Sequence, residues 1–196
     1  MLTLFDDLFT IEGRYVRLEA LSLDHLAELT PIALDASVWQ YSLKSVKQLT
    51  ADCIEHYLRN LLQERSVRYA LPFMIRHSST HAPVGVAKYE NITPRHERMD
   101  VGHIWIGSVF DAKSWLPRIL FDLVDHAMSA HDVMRIGSLI DTQHSTLREA
   151  TERLGFQLEG VLRSYLMYPD GHYGDFASYS ILPPEWKALK PGLADL

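Results

Sequence analysis

Residues 141–186 read DTQHSTLREATERLGFQLEGVLRSYLMYPDGHYGDFASYSILPPEW, and the turn-forming residues in this stretch divide it into three elements. Ser145 to Leu154 is expected as a short helix, because Gly155 follows where a chain leaving a helix enters the left-handed region that glycine adopts at least cost. Gln157 to Tyr168 and His172 to Ile181 flank Pro169-Asp170-Gly171, and Asp-Gly is a strong turn pair. These two runs are expected as a terminal hairpin, closed by the tail Pro183-Pro184-Glu185-Trp186.

Working back from this hairpin, Met134 to Ile140 reads as a strand. Pro117 to Ala130 reads as a helix with Ile119, Leu120, Leu123, Val124 and Ala127 on one stripe and Pro117 suited to its first turn. Asp100 to Ile106, Val84 to Asn91 and Arg68 to Arg76 are strand-like. The links between them, His77–Pro83 and Thr93–Arg98, are short enough for antiparallel hairpins. Thr50 is placed to cap an amphipathic helix carrying Cys53, Ile54, Tyr57, Leu58, Leu61 and Leu62. Ser22 opens a shorter helix with Leu26 and Leu29, and Tyr15 to Ala20 alternates as a half-buried strand does. The order βααβββαβαββ predicts a mixed α/β sheet. With no repeat, low-complexity segment or linker, a single domain over residues 1–196 is expected.

Hydrophobic residues make up 47% of the chain and charged residues 22%, which places it among globular rather than disordered sequences. The net charge is −6 and Lys and Arg are scattered, so no nucleic-acid groove is expected. No apolar run approaches the ~20 residues that cross a bilayer. The opening MLTLFDDLFT carries acidic residues where a signal peptide carries basic ones, so no membrane association and a cytoplasmic location are expected. The single Cys53 forms no intramolecular disulfide. Neither His77 with His81 nor His126 with His131 has a thiol or carboxylate completing a ligand set, so no metal is expected. Leu2, Leu4, Phe5, Leu8 and Phe9 form an N-terminal arm, packed on the domain or binding a protein.

Several short motifs carry a resemblance: Gly13-Arg14-Tyr15-Val16-Arg17-Leu18, Asp100-Val101-Gly102-His103-Ile104-Trp105-Ile106, Glu152-Arg153-Leu154-Gly155-Phe156, Glu159-Gly160, Leu162-Arg163, Asp170-Gly171, Asp175 and Tyr179-Ser180. Together with the element order they resemble the GNAT acyltransferase superfamily, in the RimJ/RimL-type branch that acetylates N-terminal amines of ribosomal proteins. The resemblance implies an α+β fold with a mixed, mostly antiparallel sheet flanked by helices and splayed between the strand Asp100–Ile106 and the strand Met134–Ile140. It implies acetyl-CoA as cosubstrate and direct transfer to a primary amine, either a small molecule or a protein N-terminus, by a monomer or homodimer. Cofactor contacts are then expected from Trp105, Ile106, Gly107, Asp111, Ala112, Lys113, Ser114, Trp115 and His144. Asp100 and His103 are candidate bases, and Tyr168 is a candidate proton donor to the leaving thiolate.

The phosphate-binding loop departs from the family pattern. Aligned back from His126-Ala127-Met128, the expected Arg-Gly-x-Gly falls on Asp111-Ala112-Lys113-Ser114, with both glycines missing and an aspartate in place of the arginine. Repulsion between Asp111 and a pyrophosphate weakens binding by about 1 kcal/mol in a solvated setting, and Lys113 offsets part of that. Pro117 brings no N–H to the helix start. An asparagine and a serine expected after the next strand fall on His144 and Leu147. Two readings follow, an acetyltransferase with an altered donor loop and a non-catalytic module of the same fold that binds a protein or another ligand.

Overall fold

The computed structural model describes residues 5, 8–42, 49–193 and 196. The strands are β1 (Thr10–Glu12), β2 (Val16–Ala20), β3 (Leu71–His77), β4 (Pro83–Thr93), β5 (Arg98–Ile106), β6 (Arg135–Asp141), β7 (Gln157–Met167) and β8 (Tyr173–Ile181). The helices are α1 (Leu26–Ala33), α2 (Ala51–Ser66), α3 (Ala112–Ala130), α4 (Ser145–Arg153) and α5 (Pro183–Leu189). The strands form one sheet in the order β1-β2-β3-β4-β5-β6-β8-β7, antiparallel throughout except for the parallel pair β5–β6.

Each face of the sheet has its own core. On one, Leu116, Ile119, Leu120, Leu123, Val124 and Ala127 of α3 pack with Val101, Ile136 and Tyr179. On the other, Leu29 and Ala33 of α1 and Ile54, Tyr57, Leu58 and Leu61 of α2 pack on Met74, Val86 and Trp105. These are the stripes that helical spacing predicts, and truncating one such leucine to alanine costs ~2–5 kcal/mol. Thr50 caps α2 by accepting the N–H of Cys53 at 3.3 Å, and Gly155 takes the left-handed conformation (φ +88°) beyond α4.

Gly13 owes its place to a close approach. The carboxylate of Asp122, buried in the middle of α3, accepts the N–H groups of Arg14, Tyr15 and Val16 at 2.7, 2.7 and 2.8 Å. A Cβ on Gly13 would stand 2.4 Å from the Asp122 Cγ, so only glycine lets the turn between β1 and β2 sit on that carboxylate.

Three expectations need correction. The helix expected from Pro117 begins at Ala112, so Pro117 lies inside it rather than in its first turn, and the true cap is Asp111. The strand expected from Arg68 begins at Leu71, because α2 runs to Ser66 and Arg68 turns the chain at φ +58°. A short strand, β1, precedes the first expected one. In the N-terminal arm, Phe9 packs on Phe73 and His126 at ring separations of 5.6 and 5.2 Å, while Leu8 stays exposed; Leu2 and Leu4 lie outside the described residues.

What positions the site is the parting of β5 from β6. The two strands pair only as Arg98↔Arg135, Met99↔Ile136 and Asp100↔Gly137. Beyond that point β6 continues against β8 while β5 follows β4. On β5, His103 and Ile104 together stand against the single residue Ala87, between the pairs Lys88↔Gly102 and Val86↔Trp105. His103 takes φ +48°, the left-handed conformation of a bulge. The bulge bends β5 where it leaves β6.

Candidate active site

Past Asp100 the backbone of β5 has a strand partner on the β4 side alone, so its other edge offers peptide groups to an extended ligand. The side chains at the far end are otherwise engaged. The Trp105 indole is buried and donates from Nε1 to Tyr57 Oη at 2.8 Å, and Ile106 packs against the core under α3. Gly107 donates to the Val84 carbonyl at 2.9 Å. Trp105 and Ile106 therefore contribute backbone to this cleft.

The chain then enters α3 through Asp111. This carboxylate accepts the N–H of Lys113 at 3.3 Å and the hydroxyl of Ser114 at 2.5 Å, and the N–H groups of Ser114 and Trp115 turn back to its carbonyl at 3.0 Å. The Ser114 hydrogen bond holds the Asp111 carboxyl below the ordinary aspartate range, with smaller help from the Lys113 charge, so it is ionised at neutral pH. Trp115 lies edge-on to Phe110 at 4.9 Å and against His77 at 5.3 Å, closing the loop over itself.

The end of β6 carries a second cluster. His144 caps α4 through Nδ1, which accepts the N–H of Leu147 at 3.4 Å, and its ring stacks on Tyr41 at 4.1 Å. Burial pushes its pKa down to about 4, leaving it neutral at pH 7. Asp141, also buried, accepts the N–H of Gln143 at 2.6 Å and the hydroxyl of Tyr168. Tyr168 stacks on His172 at 4.5 Å. Burial raises the Tyr168 pKa, reinforced by the Asp141 carboxylate.

On the α2 side of β5, Tyr57 Oη lies 2.5 Å from His103 Nε2. The same Tyr57 oxygen accepts the Trp105 indole N–H, so one phenol ties both β5 side chains to α2. Nearer the paired end of β5, the Asp100 carboxylate accepts from Asn91 Nδ2 at 2.7 Å. Its other oxygen lies over Gly137, where a Cβ would fall 2.3 Å away. Asp100 faces a cavity of about 420 Å³ bounded by Tyr69, Asn91, Arg98, Arg135 and Tyr165. Arg135 is held in a fork by Glu159, with both hydrogen bonds at 2.6 Å.

A protein-family model described as "Acetyltransferase (GNAT) domain" matches residues 16–157. The chain belongs to the GNAT acetyltransferase family. It is 25% identical over 143 residues to YoaA of Bacillus subtilis strain 168, an uncharacterised N-acetyltransferase, covering 73% of this chain and 77% of YoaA. It superposes on a GCN5-related N-acetyltransferase from Brucella melitensis with a TM-score of 0.84 at 23% identity, covering 94% of this chain and 83% of the other. Mycobacterium smegmatis RimJ, solved with CoA-disulfide, shares the fold with a TM-score of 0.76 at 20% identity, covering 94% and 92%. The sheet splayed between β5 and β6, expected from the resemblance, is the one observed.

Within this GNAT domain the residues expected at the donor end follow one another along the divergent ends of β5 and β6: Trp105, Ile106 and Gly107, then Asp111, Ala112, Lys113, Ser114 and Trp115 at the start of α3, and His144 at the start of α4. The three catalytic candidates are held apart by different partners, Asp100 by Asn91, His103 by Tyr57 and Tyr168 by Asp141. Sequence reasoning missed the roles of Tyr57, Asp141 and Tyr41. Tyr57 reads as one member of a helical stripe, and Asp141 is 27 residues from its partner Tyr168. Among the described residues, no three metal-ligating side chains come together and no helix is long and apolar enough to cross a membrane.

Proposed function

We propose that this GNAT domain transfers an acetyl group from acetyl-CoA to a primary amine, a small molecule or a protein N-terminus, in a direct ternary complex. The observation that carries this reading is the parting of β5 from β6 after Asp100↔Gly137, which opens a strand edge to the extended thioester arm of the donor. The complex of RimJ with CoA-disulfide supports it from a shared fold.

In the reaction the amine nitrogen attacks the thioester carbonyl, the new C–N bond forms, and the C–S bond breaks. One proton leaves the nitrogen and one is taken up by the departing thiolate, so amide and thiol result. Asp100 is assigned as the base, acting directly or through one water. Its carboxylate faces the cavity at the point where β5 and β6 begin to diverge, and Asn91 holds it in place. His103, hydrogen-bonded to Tyr57 under α2, is assigned to positioning the bulge. Tyr168 directs its proton at Asp141 and is assigned to ordering the rim at the end of β6; it can supply the thiolate only if that proton is redirected.

Thiol release should be followed with acetyl-CoA and with acetyl-pantetheine against a panel of small amines and peptides. Asp100→Asn keeps the size and the Asn91 contact, and should lower kcat by about 100-fold or more with KM for the thioester little changed. A wild-type protein that releases thiol from neither donor with any amine, at millimolar thioester, would overturn the reading. An unchanged kcat in Asp100→Asn would remove Asp100 from it.

A further inference from the structure

Resting on the acetyl-thioester reading, the geometry points to a donor held by its pantetheine arm alone, with Asp111 acting as a built-in anion where a diphosphate would otherwise be cradled. The two ends of the donor path differ in fit. The β5 edge past Asp100 is open to an extended arm. The start of α3 is poorly suited to a diphosphate, because the carboxylate of Asp111 already sits on its first turn.

A helix start binds phosphate through N–H groups pointing out of the first turn and through the positive end of the helix dipole. Here the N–H of Lys113 goes to the Asp111 carboxylate, and those of Ser114 and Trp115 go to the Asp111 carbonyl. The Ser114 hydroxyl is bound to the same carboxylate at 2.5 Å. Ala112 and Ser114 also carry Cβ atoms where close approach of a ligand to the backbone favours glycine. Lys113, the nearby cation, already acts on Asp111. A diphosphate arriving at this turn would have to break the cap and face its charge as well.

Donor selection is thereby moved to the arm, and the substrate class is an acyl thioester of pantetheine in which the diphosphate contributes nothing to affinity. Calorimetry on the full chain with CoA, pantetheine and inorganic pyrophosphate tests this without any turnover. The expected result for the wild type is CoA and pantetheine bound with affinities within about threefold of each other, and no heat from pyrophosphate. In Asp111→Asn the cap survives, since asparagine caps a helix as well as aspartate, and the charge is gone. CoA affinity should rise severalfold with pantetheine unchanged. A triple replacement, Asp111→Arg with Ala112→Gly and Ser114→Gly, should raise CoA affinity by about tenfold or more, again with pantetheine unchanged. A wild type that binds CoA about 100-fold more tightly than pantetheine would overturn the inference, as would a CoA-to-pantetheine ratio that neither variant moves. Binding of neither compound at millimolar concentration would instead overturn the acetyl-thioester reading, and this inference with it.

Discussion

Helices α3 and α4 start just past the divergent ends of β5 and β6, and each is capped by a side chain of its own chain. The caps differ in charge and in setting. Asp111 is an exposed carboxylate, kept ionised by Ser114, whereas His144 is a half-buried imidazole stacked on Tyr41 and kept neutral by its partial burial. The same hydrogen-bonding task is thus done by an anion at one corner of the cleft and by an uncharged aromatic ring at the other. A cap by itself says little about ligands. What an incoming group meets there is the charge of the capping side chain and the number of donors it leaves over.

Acid should separate the two corners most strongly. His144 has a pKa of about 4 in the folded chain and ordinarily titrates near 6.5, so between these values the unfolded chain binds the extra proton. Its contribution to stability is therefore complete above pH 6.5 and lost as pH falls from 6.5 toward 4. After discounting for the partial exposure of the ring, the loss is on the order of 2 kcal/mol. His126, also lowered to about 4 by burial, loses stability in the same window. Urea unfolding at pH 7 and pH 5 measures the sum, and His144→Asn, which keeps a cap but cannot titrate, should shrink the difference. Asp111 behaves otherwise. Its pKa lies below the aspartate value of 3.8, so its contribution persists through this window and goes only at lower pH. Equal pH sensitivity in the wild type and His144→Asn would remove the neutral cap from the account.

Removing a cap outright is the next largest effect. Asp111→Ala exposes the first turn of α3 and should cost about 1 kcal/mol by denaturant midpoint. Opposite signs, with stability down and CoA affinity up, are what a self-filled anion site requires. A fall in both would make Asp111 a donor contact.

The two corners were not equally legible in the sequence. The α4 side reads cleanly because Gly155 and Asp170-Gly171 punctuate it, and both glycines stand at positive φ in the structure. The α3 side misleads because an interior proline costs about 3 kcal/mol, so Pro117 looks like a helix start. Instead Asp111 opens the helix and Pro117 is carried, buried, inside it. Family resemblance places the expected donor loop on Asp111 to Ser114, but that Asp111 turns inward onto Lys113 and Ser114 is a matter of local geometry. The contact of His103 with Tyr57 was hidden for a different reason. Strict alternation from Asp100 would send the His103 side chain to the α3 face, and the bulge opposite Ala87, a product of strand pairing, returns it to Tyr57. Asp141 and Tyr168 meet only through the way the last three strands are laid together.

The smallest effect isolates charge from shape. Asp111→Asn keeps Oδ1 as the acceptor for the Lys113 N–H and replaces the other oxygen by an amide that donates to the Ser114 oxygen instead, so stability should change by only a few tenths of a kcal/mol. What it removes is one negative charge at the positive end of a helix dipole, a favourable interaction of about 0.3–1 kcal/mol at low salt that screening reduces. The stability difference between wild type and Asp111→Asn should therefore narrow as salt rises from 10 mM to 1 M in thermal melts, while any gain in CoA affinity narrows with it. A gain that survives 1 M salt would mean that the shape of the loop, rather than the charge of Asp111, decides what this corner admits.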